Sequence, residues 1–117
     1  PQPARRLSFS ARQNTLTITY AHDHVLVCDL VTGEQIGKVM VDGCCAAHSP
    51  ARRSTLAVAA PDAVLLVDMA SRQVAARLPV SGQAQEISIH PGGRKIACRY
   101  AHPDAFEIID LPDGGAY

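Results

Sequence analysis

Aromatic residues are scarce in this chain, and their scarcity limits the kind of core it can build. They make up 4% of the 117 residues, and tryptophan is absent, whereas 47% of the residues are hydrophobic. Aliphatic side chains and alanine must therefore form most of the buried surface. This hydrophobic fraction is too high for an intrinsically disordered chain. The length suits a single domain.

An excess of charge of either sign is also lacking. Lys+Arg and Asp+Glu each number 11, so the formal net charge is zero, and no basic run is longer than two residues. Nucleic-acid-binding proteins normally carry a basic excess or a basic face, so we expect no nucleic-acid partner. No stretch of the chain reaches the roughly 18 apolar residues that a transmembrane helix needs, so we expect no membrane span.

The cysteines are few and irregularly spaced. Cys28, Cys44, Cys45 and Cys98 fit none of the paired spacings of a zinc site and are too sparse for a disulfide scaffold. We interpret them as reduced, structural thiols, which favours the cytoplasm over the periplasm without assigning a compartment. A redox pair formed by Cys44 and Cys45 is the alternative, although a disulfide between adjacent cysteines is strained.

A pattern that recurs every forty residues organises the chain. Leu16, Leu56 and Ile96 stand 40 residues apart, each in the second of a series of short apolar segments. These second segments are expected to be strands at Thr15–Tyr20, Thr55–Ala60 and Lys95–Tyr100, and the first segment of the third unit is expected to begin at Ile87. Turns rich in Pro, Gly and Asn separate the segments. The first two units have four segments and the third has three. Because no window shows a helical period, these regularly spaced short strands predict an all-β fold.

The third segment of each unit is almost continuously apolar and ends on aspartate, as in Val25–Asp29, Val64–Asp68 and Phe106–Asp110. Such a strand suits a sheet that is covered on both faces. Stacked blades of a β-propeller provide that cover, whereas a β-sandwich, the alternative fold, usually exposes one face of each sheet. The prediction is an incomplete β-propeller of about two and three-quarter four-stranded blades. The core between the blades is then expected to include the following apolar residues: Leu16, Leu56, Ile96, Val27 and Leu66.

Residues 1–117 are accordingly predicted to form one propeller segment. Its blades are predicted at 7–41, 44–80 and 84–117, the last lacking its outer strand. Closed propellers need four to eight blades, so eleven strands cannot close a ring by themselves. Each end of such a stack is expected to expose an apolar blade face and an unpaired strand edge. We therefore expect the chain to belong to a longer polypeptide or to complete its ring with other chains, by self-association or with a protein partner.

Parts of the repeat resemble the YVTN-type propeller repeat and, more distantly, the WD-repeat propellers. The resemblance lies in residues 74–82 with 87–97, and in Val25–Asp29 followed by Thr32-Gly33. Where that family has a Pro-Asp-Gly turn, this chain has Pro91-Gly92-Gly93, and it contains no Trp-Asp dipeptide. The resemblance implies a fold that proteins of unrelated activity share.

The blade geometry that the resemblance implies puts the loops between second and third strands on one rim. If a metal site exists there, its candidate ligands are His22, His102 and Asp104, since imidazole and carboxylate groups bind metal ions. Our interpretation is that these are solvated loop residues, so we expect no metal site and no cofactor.

Other polar residues at the strand ends are expected to be structural. His48 and His90 end inner strands that face the central channel, where a cofactor-binding role is the alternative. Asp29, Asp68 and Asp110 stand just before turns, whose backbone N–H groups we expect them to bind.

The sequence contains no catalytic motif of a hydrolase, metalloprotease, phosphate-binding or dinucleotide-binding enzyme. The predicted function is therefore a non-enzymatic interaction or scaffold module that binds a protein partner through its loop faces. The alternative, which the resemblance implies, is a fragment of a propeller enzyme or cofactor-carrying protein, either lactonase-like or associated with quinone or haem.

Overall fold

The computed structural model describes residues 4, 6–10, 12–20, 22–101 and 104–111, and this part of the chain is built from antiparallel β-strands. There are eleven strands in it: β1 (Arg6–Ser10), β2 (Thr15–Tyr20), β3 (His24–Asp29), β4 (Gln35–Met40), β5 (Cys45–His48), β6 (Thr55–Ala60), β7 (Ala63–Asp68), β8 (Gln73–Pro79), β9 (Ala84–Ile89), β10 (Lys95–Ala101) and β11 (Asp104–Asp110). Within these described ranges, no helix is long and apolar enough to cross a membrane.

The strands form three sheets in which each strand pairs with the next one along the chain. Strands β1–β4 form blade 1, β5–β8 form blade 2, and β9–β11 form a three-stranded blade 3. The inner strands β1, β5 and β9 contact each other in that order, which sets the blades side by side. The prediction of an all-β, incomplete propeller with two four-stranded blades and one three-stranded blade is confirmed. The wider blade ranges 7–41, 44–80 and 84–117 stay a prediction.

Two aliphatic clusters fill the junctions between blades. The first joins blades 1 and 2 through Val25, Val27 and Val39 on one side and Ala46, Leu56, Val58 and Val67 on the other. The second joins blades 2 and 3 and includes Ala57, Ala59, Val64, Leu66, Ile96, Cys98 and Tyr100. Blade 2 contributes to both clusters, so every residue of β6 is buried. Burial of aliphatic surface between sheets therefore holds the blades together.

One of the expected core residues is not in the core. Val27, Leu56, Leu66 and Ile96 are at most 1% exposed, as expected of junction residues. Leu16 was expected to join them but is only half-buried. Its side chain lies on the face of blade 1 that is turned away from blade 2, where no other described blade covers it. The prediction for Leu16 is therefore wrong, because its burial requires a neighbouring blade.

The aspartates that end the third strands stabilise the turns that follow. Asp29 Oδ1 accepts hydrogen bonds from the backbone N–H groups of Val31 (2.8 Å) and Thr32 (3.1 Å). Asp68 accepts from the Ser71 hydroxyl at 2.8 Å and from the Ala70 N–H at 3.3 Å. The predicted structural role is confirmed for these two residues. Most of the turn after Asp110 lies outside the described residues, and Asp110 forms an ion pair with Lys95.

Candidate functional site: the loop rim and the open blade faces

His22 lies in the tight turn between β2 and β3, on the loop rim. Its backbone has a positive φ of 63°, and its N–H donates to the Gly43 carbonyl at 3.1 Å. Its Nδ1 lies 2.5 Å from Asp42 Oδ1, and both side chains are more than half exposed. The imidazole is therefore paired with a carboxylate of the loop that leads into blade 2.

The other two candidate metal ligands belong to blade 3. Asp104 begins β11 opposite Ala101 and is exposed, and His102 lies outside the described residues. Blade 2 separates His22 from Asp104. In the described ranges, no group of three or more His, Cys, Asp or Glu side chains is arranged to hold a metal ion. A metal site that includes His102 stays an alternative raised by the sequence alone.

The cysteines lie beside or within the junction between blades 2 and 3, apart from Cys28, and all four are free thiols. Cys44 Sγ lies 3.9 Å from Gln85 Oε1, and Cys45 Sγ lies 3.8 Å from the Ala84 carbonyl oxygen. Burial raises the pKa of Cys45 to about 12 and that of Cys98 to about 11. Both thiols are therefore protonated at neutral pH and are poor nucleophiles. This geometry supports the structural interpretation.

His48 joins blade 1 to blade 2 through two short hydrogen bonds. Its Nε2 lies 2.6 Å from the Arg53 carbonyl oxygen, which can only accept, so Nε2 carries the proton. Nδ1 is then free to accept a hydrogen bond from the Thr15 hydroxyl at 2.6 Å, across the junction. Burial lowers the pKa of His48 below its usual value of 6.5. The residue is thus a neutral, structural histidine.

Polar bonds at the blade ends reinforce the same junction. Arg53 Nη1 donates to the Gln13 carbonyl at 3.0 Å, and Arg53 Nη2 donates to Asp29 Oδ2 at 3.1 Å. The Gln13 side-chain amide returns a bond to the Pro50 carbonyl at 3.0 Å. The backbone N–H groups of Thr32 and Val31, followed by Arg53, lower the pKa of Asp29. Arginine and aspartate therefore act here as a connection between blades.

A small cavity of about 180 Å³ lies among the three inner strands and the turns that follow them. It is lined partly by Ser8, Ser10, Arg12, His48 and Ser88. Pockets for drug-sized ligands are usually about 300–1,000 Å³. Both nitrogens of His48 are also already engaged with protein groups. The cavity is therefore smaller than such pockets, and His48 has no free ring nitrogen to offer a ligand there.

The face of blade 1 that is turned away from blade 2 is apolar. Phe9 is 71% exposed and Leu7 is 64% exposed. They pair across the sheet with Leu16 and Ile18, and cross-strand partners lie on the same face. We call these four side chains the open face of blade 1. In blade 2 the pair equivalent to Phe9 and Leu16 is His48 and Leu56, which blade 1 buries.

The face of blade 3 that is turned away from blade 2 combines apolar and charged side chains. Phe106 is 76% exposed and Ile108 is 60% exposed, and their partners across the sheet are Arg99 and Ala97. Arg99 Nε donates to Glu86 Oε1 at 2.9 Å. We call these five side chains the open face of blade 3. The equivalent residues in strands β6 and β7 of blade 2 are fully buried: Ala57, Ala59, Val64 and Leu66.

The residues of the loops and strand ends gave no indication of these two faces. The strand count indicated that the end blades would be exposed, but only the structure shows which side chains are on the surface. One signal was present in the sequence. Arg99 stands 40 residues after Ala59 and 80 after Thr19, so a charged residue replaces small ones at the same place in the repeat.

Comparison with solved structures shows that the chain has the fold of a β-propeller segment. It matches the β-propeller domain of Myceliophteria thermophila Cps50 (Swd1) with a TM-score of 0.73 and 15% identity, covering 97% of this chain and 36% of that one. It matches the WD40 domain of Toxoplasma gondii coronin with a TM-score of 0.72 and 16% identity, and this match covers 93% of this chain and 31% of that one. The resemblance to WD-repeat propellers at the level of the fold is therefore established.

A third match has a higher sequence identity. Kuenenia stuttgartiensis hydrazine synthase is 26% identical, with a TM-score of 0.70, and the match covers 92% of this chain and 32% of that one. The chain thus spans about a third of the length of each of these solved structures. No protein-family model matches it, and no curated protein matches its sequence.

Proposed function

We propose that the chain is a non-enzymatic interaction module, a propeller segment that binds a protein partner by stacking its open faces against further β-blades. The observation that carries this proposal is the exposure of Leu7, Phe9, Phe106 and Ile108 at the two ends of the blade stack. Large apolar patches on a protein surface mark sites of association. In blade 2, a neighbouring blade covers both faces, so the fold itself indicates what kind of surface fits.

The partner of each open face is accordingly a blade of complementary shape. Three blades fall short of the four to eight that a closed ring contains. Further blades can come from the same polypeptide or from another chain, and two copies of this segment would supply six. The loop rim, with His22 and Asp104, is a second surface that a partner can contact. Association of blades in this way requires no catalytic residue.

Self-association of residues 1–117 tests the open faces directly. We expect the molecular mass in sedimentation velocity to rise with protein concentration. Phe9→Arg should shift the protein towards monomer, because an arginine in the open face of blade 1 cannot be buried without a partner charge. Val31→Arg is the matched control, since Val31 is 78% exposed in the turn after β3 and belongs to neither open face.

A well-folded wild-type protein that stays monomeric at its highest soluble concentration would contradict the proposal. So would a Val31→Arg variant that loses association to the same extent as Phe9→Arg. Circular dichroism spectra of both variants should match that of the wild type, which separates loss of association from loss of fold.

The second candidate function is a segment of a larger enzyme or cofactor-carrying protein. The 26% identity to hydrazine synthase over 92% of this chain favours it. An absorption spectrum and a metal analysis of the purified protein distinguish the two candidates. A coloured sample, or one that holds metal in a stoichiometric amount, would favour the second candidate over the interaction module.

A further inference from the structure

The charged side chains divide between the two ends of the blades. The loop rim, together with the loops that connect the blades, carries no lysine or arginine but several aspartates: Asp23, Asp42, Asp62 and Asp104. At the opposite end lie the turns that follow the first and third strands of each blade, and we call these turns the turn rim. Most of the arginines stand on it: Arg12, Arg52, Arg53, Arg72 and Arg94. The net charge of zero therefore hides two rims of opposite character.

Two arginines of the turn rim have charge to offer a partner. The carboxylates of Asp29 and Asp68 accept hydrogen bonds from the turns that follow them, and Asp29 also pairs with Arg53. By contrast, Arg52 and Arg72 are exposed, and neither side chain forms an ion pair or a hydrogen bond within the described ranges. Positive charge on this rim is therefore left without a carboxylate.

Both of these arginines belong to blade 2, which packs against a neighbouring blade on each side. Arg52 stands in the turn after β5, and Arg72 stands in the turn after β7. Because both faces of blade 2 are covered, the exposure of its turns does not depend on what lies beyond the two end blades.

A groove between blades 1 and 2 opens on the turn rim, and both of these blades have four strands. Its volume is about 310 Å³, at the lower end of the range of small-ligand pockets. One wall comes from β4 and the other from the two turns of blade 2 that contain Arg52 and Arg72. The residues that line it are Ile36, Arg53, Ser54, Met69 and Ala70.

The wall that β4 provides is aliphatic. Ile36 is 38% exposed and stands where the register between β3 and β4 shifts. Ala75 occupies the equivalent irregularity in β8, so a large aliphatic residue replaces a small one here. The next residue is Gly37, and a Cβ at this position would lie 2.8 Å from Met69 Sδ. The groove thus combines an apolar wall with the half-exposed side chain of Arg53.

We propose that the turn rim of blades 1 and 2 binds an acidic segment of a partner protein, with an aliphatic side chain in the groove beside Ile36 and carboxylates beside Arg52 and Arg72. The proposal rests on the proposed function as a protein-interaction module, but it uses neither open face. Charge complementarity favours an acidic occupant. A nucleic acid fits less well, because none of the residues that line the groove is aromatic and could stack on a base.

Binding of a labelled peptide tests the charge part of the proposal. The probe is fluorescein-labelled Glu-Glu-Leu-Glu-Glu, and its binding to residues 1–117 is followed by fluorescence anisotropy at about 0.15 M salt, which screens distant charges. We expect saturable binding that weakens about fivefold or more in Arg72→Glu and in Arg52→Glu, since each variant replaces an attraction by a repulsion. Arg6→Glu is the matched control. It makes the same change of charge at an exposed residue at the loop-rim end of β1, and it should leave binding unchanged.

A second comparison tests the apolar groove. Replacing the peptide leucine by serine should weaken binding to the wild-type protein about fivefold or more, because the aliphatic contact is lost. The same replacement should have a much smaller effect on binding to Ile36→Ser, which lacks the apolar wall of β4. Met40→Ser is the matched control, since Met40 is 68% exposed at the other end of β4. This variant should still distinguish the two peptides.

Two further variants keep the outcome interpretable. Arg72 has a positive φ of 60°, which asparagine adopts readily, so Arg72→Asn removes the charge if Arg72→Glu does not fold. Phe9→Arg should reduce self-association without altering peptide binding. The open faces and the turn rim can therefore fail independently.

Absence of saturable binding would overturn the proposal, as would equal losses in Arg72→Glu and Arg6→Glu. A preference for leucine that Ile36→Ser retains in full would show that the aliphatic side chain does not enter the groove. Tighter binding of a DNA duplex than of the peptide, lost in Arg72→Glu, would assign the rim to nucleic acid instead. Self-association that Arg72→Glu abolishes as fully as Phe9→Arg would assign the rim to a second copy of the chain.

Discussion

Blade 2 and the two end blades have the same repeat, but equivalent residues meet different surroundings. At one position of the second strand, the repeat has Thr19 in blade 1, Ala59 in blade 2 and Arg99 in blade 3. The first two are buried against the next blade, whereas Arg99 is on the open face and pairs with Glu86. The position within a blade determines where a side chain points. The presence of the next blade determines which side chains can stand there.

The largest expected effect comes from placing an arginine, the residue that blade 3 has at this position, at the equivalent buried position of blade 2. Ala59→Arg introduces a cation at a site that is 0% exposed in the junction of blades 2 and 3. We expect it to reduce the free energy of unfolding by about 3 kcal/mol or more, or to prevent folding, because the charge has neither water nor a partner. Urea denaturation measures this change.

Arg99→Ala is the matched control for this substitution. It removes an exposed ion pair, so we expect a change no larger than that of an ordinary surface substitution. If Ala59→Arg does not fold, Ala59→Leu should still destabilise by about 1–3 kcal/mol through overpacking. A well-tolerated arginine at position 59 would show that blades 2 and 3 are not stacked as described.

A smaller difference is expected between Leu56 and Leu16, which are equivalent residues of blades 2 and 1. Leu56→Ala leaves a cavity in the junction between those blades and should cost about 2–5 kcal/mol. Leu16→Ala should cost clearly less, because no described blade covers the open face of blade 1. Thermal or urea unfolding of both variants below the concentration at which the protein associates checks the comparison. Equal losses would show that Leu16 is covered in solution.

The smallest expected effect concerns His48, which stands at the position of Phe9 in blade 1. Its pKa is lowered in the folded protein, so the unfolded chain binds a proton more readily. The contribution of His48 to the free energy of unfolding is present in full above pH 6.5 and is lost as the pH falls from 6.5 towards the lowered pKa. Over that range the free energy of unfolding changes by at most about 1.4 kcal/mol per pH unit.

His48→Gln should remove this slope, since glutamine does not titrate and can still donate to the Arg53 carbonyl. The measurement is the difference in unfolding free energy between wild type and variant from pH 7.5 to 5, in which contributions of the other histidines cancel. A difference that does not depend on pH would contradict the assignment of His48 as a buried neutral residue.

The strands were more predictable than the surfaces. The expected bounds of Thr15–Tyr20 and Thr55–Ala60 are confirmed, because turn residues delimit both segments. Strand β9 begins at Ala84, three residues before the expected start at Ile87, since Ala84 pairs with Tyr100 after an irregularity in the register. The exposure of the two end blades followed from the strand count, but the side chains of the open faces could not be predicted, because each face combines residues from two or three strands.

The sequence by itself determined the forty-residue repeat, the alternation of strand and turn, and the aspartates that bind the turn N–H groups. These features rest on contacts between residues close in the chain, so local chemistry is sufficient for them. Only the tertiary structure decided that Leu56 is buried while Leu16 is half-buried, and that His48 is a neutral link between blades. Each of these depends on whether another blade or strand excludes water from the site, and the spacing of residues along the chain does not specify that.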